Sequence, residues 1–525
     1  MNASFLRILV LSVFATQAAL AQLALPTDAV RHFAPESFRP HLSYLASDEM
    51  RGRDTPSPEL ERAADYIAAH FKKIGLEPLG KDYRLPFALV TPDLDPSAQQ
   101  TYLTVTKDGQ QKQLTLSKEF APLEQTAGIS ITNRAVSFVG FGITAPEYGY
   151  DDYKDIDVRG HVVLMLRGEP ESADTSKFRG AAFTIHASNR EKIRRAIKNG
   201  AVGVLLVDAV RALRKPIVSG YAWPSLSTKP GRSGRSVQLP SARRDSAVVM
   251  SVGESVVDLL IGSVDSLRAL TKALDATLSP RSTRLANLTV TAAVKLTSDT
   301  FNVSNVGGIL RGSELPDEYV VMGAHYDHVG VGRPNDAGDS IYNGADDNAS
   351  GTTSLMVAAE ALAGSSTRPA RSVVFLAFAA EEKGLLGSRA YVAASPLPVD
   401  KCVAMINTDM IGRCENGKLS IGGAERCPDL IALNEAENAK LAKPFNLAYD
   451  IEQYFFRSDQ ASFAMKRIPV IFYFTGEHKD YHKVTDEIPL IDFTSLAGIS
   501  RLATTVLWRA AHMPRTTYVP AGFEE

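Results

Sequence analysis

The first periodic stretch of the chain lies at residues 57–75, SPELERAADYIAAHFKKIG. Its apolar residues recur at a spacing of three or four positions, which is typical of a helix with one buried face. Ser57 and Pro58 suit the start of such a helix, and Gly75 suits its end. The pattern therefore predicts an amphipathic helix that packs on a larger body.

The character of the chain changes near residue 132, where short apolar runs and turns replace the helical pattern. The runs AVSFVGFGI and HVVLMLRG are followed by the helix-like REKIRRAIKNG and then by AVGVLLVDA. A segment rich in Gly, Pro and Ser, WPSLSTKPGRSGRS, follows them. This succession predicts a small β-rich domain inserted over residues 132–290.

From about residue 300, apolar strand-like runs alternate with helical ones. They are EYVVMGAH, TTSLMVAAEALA, SVVFLAFAAEE, CVAMINTD, IPVIFYFTGEH and SLAGISRLATTVLWRAA. Apolar runs separated by helices predict an α/β fold with a mixed central sheet flanked by helices on both faces. The predicted main domain then comprises residues 22–131 and 291–525.

Residues 1–21, MNASFLRILVLSVFATQAALA, have the layout of a cleaved secretory signal peptide. One Arg precedes a short apolar stretch, and Ala-Leu-Ala stands before Gln22. A membrane anchor would need about 20 apolar residues. The sequence thus predicts an exported protein, periplasmic or extracellular, without stable membrane insertion.

Composition adds little about partners. Hydrophobic residues make up 45% of the chain and charged residues 22%, and the net charge of −2 comes without the basic block that a nucleic-acid partner would need. The three cysteines, Cys402, Cys414 and Cys427, are too few for a disulfide scaffold, although one bridge between Cys414 and Cys427 stays open.

Ionisable side chains follow the ends of several C-terminal apolar runs. They are His325, Asp327, Glu381, Glu382, Asp409 and His482. Ligands of open α/β sheets bind beyond the carboxyl ends of the strands, and buried carboxylates without partners are costly. The pattern therefore predicts a dinuclear metal site, and imidazole and carboxylate donors without thiolate favour zinc, with cobalt or manganese as alternatives.

Other hydrolase and nucleotide signatures do not fit. The chain contains neither a G-x-S-x-G elbow nor an H-E-x-x-H helix. The segment GRCENGKL at 412–419 has Leu419 where a P-loop requires Ser or Thr. A serine hydrolase, a single-zinc metalloprotease and a P-loop protein are therefore disfavoured.

Five motifs in order, GAHYDHVG, NGADDNASG, AFAAEEKGLLGS, NTDMIGR and YHKVTDE, resemble those of the two-zinc aminopeptidases of peptidase family M28, clan MH. Glutamate carboxypeptidase II, glutaminyl cyclase and the inactive transferrin receptor are related to them. The resemblance covers residues 300–510 and the region 40–80, and the insertion resembles a protease-associated (PA) domain. It implies a zinc exopeptidase fold of the phosphorylase/hydrolase-like type, with two zinc ions and peptide substrates.

The resemblance also implies roles for the metal-type residues. His325 and Asp409 would hold one zinc, Glu382 and His482 the other, and Asp346 would bridge both. Asp347 would shape the backbone beside the bridge.

For catalysis, the resemblance implies Glu381 as the general base and Tyr481 as a hydrogen-bond donor to the oxyanion. Asp327 would accept the second ring N–H of His325. His328 has no ligand counterpart, and Gln460 stands where many relatives have His, which leaves substrate contacts in doubt. The predicted activity is removal of N-terminal residues from peptides. A carboxypeptidase, a glutaminyl cyclase and a non-catalytic peptide-binding relative remain alternatives.

Overall fold

The computed structural model describes residues 24–95, 97–123, 126–171, 177–178, 184–218, 237–240 and 246–520. The predicted signal peptide lies outside the described residues. The chain divides into two units, of which the second runs from Val90 to Thr300 apart from a short undescribed segment. The first unit comprises the chain on either side.

The first unit begins with three helices and two strands. They are α1 (Thr27–Val30), α2 (Pro35–Leu45), α3 (Pro58–Lys73), β1 (Glu77–Pro78) and β2 (Arg84–Leu94). Helix α3 confirms the helix predicted from the periodic stretch. The backbone N–H of Leu60 donates to Oγ of Ser57 at 3.0 Å, which caps the helix, and its apolar face is buried.

The second unit is built on an eight-stranded sheet. Its strands are β3 (Tyr102–Lys107), β4 (Gln110–Gln113), β5 (Phe120–Pro122), β6 (Ser130–Phe138), β9 (Val162–Leu166), β10 (Gly203–Val207), β11 (Val248–Val252) and β12 (Thr283–Ala293), and a separate hairpin pairs β7 (Thr144–Ala145) with β8 (Tyr150–Asp151). Its helices are α4 (Asn189–Lys198), α5 (Glu254–Ile261) and α6 (Val264–Thr277). The strand order is β4-β3-β12-β6-β9-β10-β11-β5, parallel from β6 to β11 and antiparallel elsewhere.

The predicted domain boundaries at 131/132 and 290/291 differ from those of this unit. Strand β3 pairs with β12, and β5 pairs with β11, so residues before 132 hydrogen-bond within the second sheet. The unit therefore starts about 40 residues earlier than the prediction and ends at Thr300. The compact unit and the predicted inserted domain are thus different segments, because strand pairing over long sequence distances leaves no local pattern. The predicted boundaries of the inserted domain stay a prediction.

The rest of the first unit completes a nine-stranded mixed sheet. Its remaining strands are β13 (Leu296–Leu310), β14 (Leu315–His325), β17 (Arg371–Phe378), β18 (Cys402–Thr408), β19 (Lys418–Gly422), β20 (Asn446–Ala448) and β21 (Val470–Phe474), with a small hairpin of β15 (Gly330–Val331) and β16 (Ile341–Tyr342). Its helices are α7 (Gly351–Ala363), α8 (Leu386–Ala393), α9 (Pro428–Asn438), α10 (Gln460–Ala464) and α11 (Phe493–Ala510).

The order β1-β13-β17-β14-β18-β21-β19-β20, with β2 beside β13, contains a central parallel set of β17, β14, β18 and β21. Every residue of β17 and β18 is buried, as expected for strands in the middle of an α/β domain. The predicted α/β class with a mixed sheet is confirmed.

Two further expectations concern cysteines and membranes. No disulfide joins Cys402, Cys414 and Cys427, all of which are described, and Sγ of Cys427 accepts a hydrogen bond from the backbone N–H of Val470 at 3.2 Å. The open pairing of Cys414 with Cys427 is therefore absent from the structure. Among the described residues, no helix combines the length and apolar character needed to cross a membrane.

Candidate metal centre

The four central parallel strands bring the predicted site residues to one edge of the sheet. His325 is the last residue of β14, Asp409 directly follows β18, and Glu381 and Glu382 follow β17. His482 lies on the loop beyond β21. Because β17, β14, β18 and β21 run parallel and adjacent, their carboxyl ends meet at this edge, as the sequence predicts.

The backbone is strained where these side chains leave their strands. Ala380, Met410 and His482 all have positive φ angles, of 57°, 51° and 53°. Residues other than glycine adopt this left-handed region infrequently, and such strain concentrates at functional sites. The conformation of these loops is therefore set by the tertiary contacts of the site rather than by local preference.

The first group of potential metal donors consists of His325, Asp347 and Asp409. Nε2 of His325 lies 3.4 Å from Oδ1 of Asp347 and 3.3 Å from Oδ1 of Asp409. Ser458 donates to Oδ2 of Asp409 at 2.7 Å. Burial alone would lower the pKa of His325, but the charges of Asp409 and Glu381 raise it well above its usual value.

The second group consists of His328, Asp347, Glu382 and His482. Oε1 of Glu382 lies 3.0 Å from Nδ1 of His328 and 3.1 Å from Nε2 of His482. Oδ2 of Asp347 lies 3.1 Å from Nε2 of His482. Burial opposes protonation of His482, but the hydrogen bonds with Asp347 and Glu382 raise its pKa to about 10.

Asp347, rather than Asp346, is the carboxylate shared by the two groups. One of its oxygens faces His325 and the other faces His482, so the roles that the sequence assigned to the two neighbours must be exchanged. The cis peptide bond in this turn accordingly joins Asp347 to Asn348. A slip of one residue within Asp-Asp cannot be resolved from side-chain type, because both carry the same group.

Asp346 is fully buried but is turned away from both groups. Its Oδ1 accepts from the backbone N–H of Gly412 at 2.6 Å, and its Oδ2 lies 3.2 Å from Nε2 of His478. A Cβ on Gly412 would come within 2.8 Å of Oδ1, so glycine permits this close approach. Asp346 thus braces the turn that presents Asp347.

Asp486 and Arg53 also shape this turn, and sequence reasoning missed both. The carboxylate of Asp486 accepts the backbone N–H groups of Asp346 and Asp347 at 3.0 Å. The buried guanidinium of Arg53 donates to the carbonyls of Asn343 at 2.9 Å and Gly344 at 3.1 Å. Asp486 stands inside the quoted motif YHKVTDE, whereas no local signal marks Arg53.

Glu381 lies beside the first group without belonging to either. Its Oε2 is 3.9 Å from Nε2 of His325, and its carboxylate is almost fully buried. Burial raises the pKa of Glu381 well above its usual value, although the nearby charge of His325 opposes the shift. This position beside the metal donors agrees with the predicted general base.

The contacts of Asp327 with His325 differ from those that the sequence predicts. Nδ1 of His325 lies 3.1 Å from the main-chain carbonyl of Asp327 and 3.8 Å from its carboxylate. The carboxylate instead accepts from the backbone N–H of Glu381 at 3.0 Å and from Oγ1 of Thr55 at 3.2 Å. Asp327 therefore orients His325 through its backbone and Glu381 through its side chain.

The aromatic ring of Tyr481 stacks on the imidazole of His482, with centroids 4.0 Å apart and planes 24° apart. Burial, with the charges of Asp347 and Glu382, raises the pKa of its hydroxyl. The phenol is thus a neutral donor next to the cluster. The oxyanion role stays a prediction.

Gln460, the departure from the family pattern, is fully buried. Its Oε1 accepts from Nδ2 of Asn407 at 2.7 Å, and its Nε2 donates to the carbonyl of Phe455 at 2.7 Å. Both polar ends of the side chain are used inside the domain. Gln460 therefore has a structural role inside the domain.

The donor set fits a pair of divalent cations. Each group supplies at least three imidazole or carboxylate donors, and the two groups share Asp347. Oδ1 of Asp409 is buried without a hydrogen-bond partner. A cluster of carboxylates this deeply buried is expensive without a compensating charge.

The fold and this cluster define an α/β protein with two candidate groups of metal donors at the carboxyl edge of its sheet. Residues 305–507 match the model described as Peptidase family M28, and residues 131–248 match the PA domain. The first of these regions is therefore similar to the peptidases of family M28, and the second is similar to PA domains.

Shorter stretches of the chain are similar to two other proteins. A stretch of 118 residues is 37% identical to a "Probable zinc metalloprotease" of Pyrenophora teres f. teres, covering 22% of this chain and 24% of that protein. A stretch of 127 residues is 36% identical to a "Glutamate carboxypeptidase 2 homolog" of Caenorhabditis elegans, covering 23% of this chain and 14% of that protein. The chain thus spans a quarter or less of the length of these two relatives.

One solved structure is similar over nearly the whole chain. It is an aminopeptidase from Aneurinibacillus sp. strain AM-1, with 18% identity, a TM-score of 0.52, and coverage of 94% of this chain and 98% of that one. The likeness supports the fold of the described chain.

Proposed function

We propose that the protein is a zinc-dependent aminopeptidase that uses two metal ions to cleave the N-terminal bond of peptides. The observation that carries the proposal is the position of Asp347, which offers one oxygen to each donor group, with Glu381 next to the first group. A shared carboxylate with a flanking carboxylate base suits hydrolysis assisted by two metal ions.

Zinc bound in this centre would polarise the scissile carbonyl and make water a competent nucleophile near neutral pH. Glu381 would take the proton from the attacking water and pass it to the leaving amine. The Asp327 carboxylate holds the backbone of Glu381 in place for this transfer. Tyr481 would donate its hydroxyl to the oxyanion, a contribution worth about two to three orders of magnitude in rate.

The charges around the cluster favour an N-terminal amine over a C-terminal carboxylate in the substrate. A carboxypeptidase needs an available basic residue to bind the carboxylate. Lys383, directly after Glu382, pairs with Asp54 at 2.5 Å, and Arg413, in the NTDMIGR motif, pairs with Asp480 at 3.2 Å. Both of these cations are already engaged by acidic side chains.

The test uses the purified mature protein and three forms of one leucyl peptide as substrates. The first form has both ends free, the second is N-acetylated and the third is C-amidated. An aminopeptidase cleaves the free and the amidated peptide and spares the acetylated one. Cleavage of the acetylated peptide together with loss of activity on the amidated one identifies a carboxypeptidase instead. Ring closure of an N-terminal Gln peptide without hydrolysis identifies a cyclase.

Metal content, measured by mass spectrometry before and after chelation, tests the number of ions. About two zinc ions per chain at the centre, with activity lost on chelation and restored by zinc, is the expected result. A protein that holds no metal and cleaves none of the peptides is a binding protein, and the proposal then fails.

We further propose that the protein is exported, on the layout of residues 1–21. N-terminal sequencing of the protein recovered after expression with its own leader tests this, and a first residue of Gln22 is expected. An intact Met1 in the cytoplasmic fraction would contradict export.

A further inference from the structure

We infer that His41, His70 and Glu360 form an additional metal site for a zinc-type divalent cation. One nitrogen from each imidazole and one carboxylate oxygen of Glu360 all lie within 4.8 Å of one another. Two histidines and one glutamate are a donor set that binds zinc with a coordination position left open. None of the three belongs to the candidate centre described above.

The three donors come from three different helices of the first unit. His41 lies on α2, His70 on α3 and Glu360 on α7. Glu360 stands nine residues beyond Gly351, which is about 13 Å along the axis of α7 from the turn that carries Asp347. An ion held here would join α2, α3 and α7 away from the catalytic end of α7.

Hydrogen bonds already orient both imidazole rings. Nε2 of His70 lies 3.2 Å from the carbonyl of Met356, and because a carbonyl only accepts, Nε2 carries the proton and Nδ1 keeps its lone pair. Nδ1 of His41 lies 2.8 Å from the hydroxyl of Tyr66. Outer partners of this kind hold the ring and select the tautomer of metal-binding histidines.

The surroundings also favour a cation. Glu360 lies in the last turn of α7 and His70 in the last turn of α3, and the C-terminal end of a helix carries partial negative charge. Burial lowers the pKa of His41 to about 4 and also lowers that of His70, so both rings are neutral near pH 7 and able to coordinate a metal.

Closing the site requires the three donor atoms, which lie within 4.8 Å of one another, to come closer together. Donors bound at 2.0–2.2 Å in a tetrahedral zinc site lie about 3.4 Å from one another. The rings of His41 and His70 are in edge contact, with centroids 4.7 Å apart, and are held by their neighbours. The side chain of Glu360 is 43% exposed, and its Oε1 lies 3.9 Å from Nδ1 of His32, so it can change rotamer to complete the set.

The experiment counts zinc per chain in the full-length mature protein after equilibrium dialysis against buffered free zinc. The wild-type protein should bind one more zinc than Glu360→Gln and His41→Phe under the same conditions. Phe keeps an aromatic ring in the contacts with Tyr66 and His70, and Gln keeps the size of Glu360, so both variants should retain the fold. The matched control is His512→Phe, which removes a histidine that packs on Trp508 outside the cluster.

The affinity for the additional zinc should fall by more than about 100-fold in Glu360→Gln, beyond the loss typical of removing an outer partner. Hydrolysis of a leucyl nitroanilide should stay at the wild-type rate in all three variants. A third readout is anomalous diffraction at the zinc edge, where a peak between His41 and His70 is expected.

Equal zinc content in the wild type and both site variants would overturn the inference, as would a zinc-soaked crystal without the peak. The result is separable from that of the proposed function. Failure of the two-zinc aminopeptidase would appear as missing activity and missing metal at Asp347, whereas this inference fails on the additional ion alone.

Discussion

Both units of the chain bury charged side chains, but they satisfy them in opposite ways. In the second unit, Lys192 donates to the carbonyls of Leu166 at 2.8 Å and Gly168 at 2.7 Å, and Asp152 accepts from the backbone of Ile143 and the hydroxyl of Tyr150. Each of these charges is served by several local partners.

In the candidate metal centre of the first unit, buried ionisable groups face one another instead. Asp347, Glu382 and Asp409 converge on histidines, and Oδ1 of Asp409 has no hydrogen-bond partner. Burial of a charge is therefore not in itself a sign of function. What distinguishes the metal centre is that several buried carboxylates lie close together, a repulsion that a bound cation would relieve.

The sharpest test of this contrast is Glu381→Gln. The variant should keep both metal ions, because Glu381 belongs to neither donor group, while kcat falls by about 10³–10⁴-fold through loss of the base. The neighbouring Glu382→Gln serves as the comparison, since it should lose metal as well as activity. Metal analysis and leucyl nitroanilide kinetics check both. Metal loss in Glu381→Gln would show that the base has been confused with a ligand.

The next test separates the two adjacent aspartates. Asp347→Asn should weaken metal binding at both groups, because each group uses one of its oxygens. Asp346→Asn should keep the metals, since that side chain contacts Gly412 and His478 instead. Zinc content after dialysis against a weak chelator measures the difference. If Asp346→Asn loses both ions and Asp347→Asn neither, the original assignment from the sequence is restored.

A smaller effect is expected for His328→Phe. Its Nδ1 lies 3.0 Å from the carboxylate of Glu382, so its loss should weaken the ion of the second group by about 10–100-fold and leave the first group intact. The matched control is His478→Phe, which removes a histidine that faces Asp346 outside both groups. Unchanged zinc affinity in His328→Phe would limit that residue to a packing role.

The smallest effect concerns stability in the second unit. Burial lowers the pKa of Lys192 from 10.5 to about 7. Between these two values the unfolded chain binds more protons than the folded one, so this group makes stability rise with pH from about 7 to 10. Lys192→Met should remove the rise without changing zinc content.

Pulse proteolysis in urea at pH 7 and at pH 9.5 measures this dependence on peptides from the second unit. Lys198→Met on the same helix is the control, because its side chain is exposed. A rise of equal size in Lys192→Met and in the wild type would assign the pH dependence to another group.

Sequence reasoning performed best where the local pattern and the tertiary environment agree. The helix capped by Ser57 and the apolar runs of β14, β17, β18 and β21 were readable because burial imposes their pattern. His325, Glu381, Glu382, Asp409 and His482 were selected by chemistry at strand ends, and the structure brings them together.

Two features of the structure depend on distant segments of the chain and could not be predicted from the local sequence pattern. The strands before residue 132 belong to the second sheet because they pair with β11 and β12, more than 100 residues away. The choice of Asp347 over Asp346 depends on Asp486 and Arg53, which hold the turn from two other parts of the chain. Neither the strand pairing nor the orientation of the turn produces a periodic or compositional pattern in the sequence.

By itself, the sequence determined the class of fold, the type of metal donors and the strand ends that carry them. Hydrophobic periodicity and residue chemistry are local properties, so they can be recognised in the amino-acid sequence alone. The tertiary structure alone decided which of two identical carboxylates the donor groups share, that His328 joins one of them, and that His41, His70 and Glu360 meet. Those outcomes depend on the directions of side chains from distant elements, which only the packed chain defines.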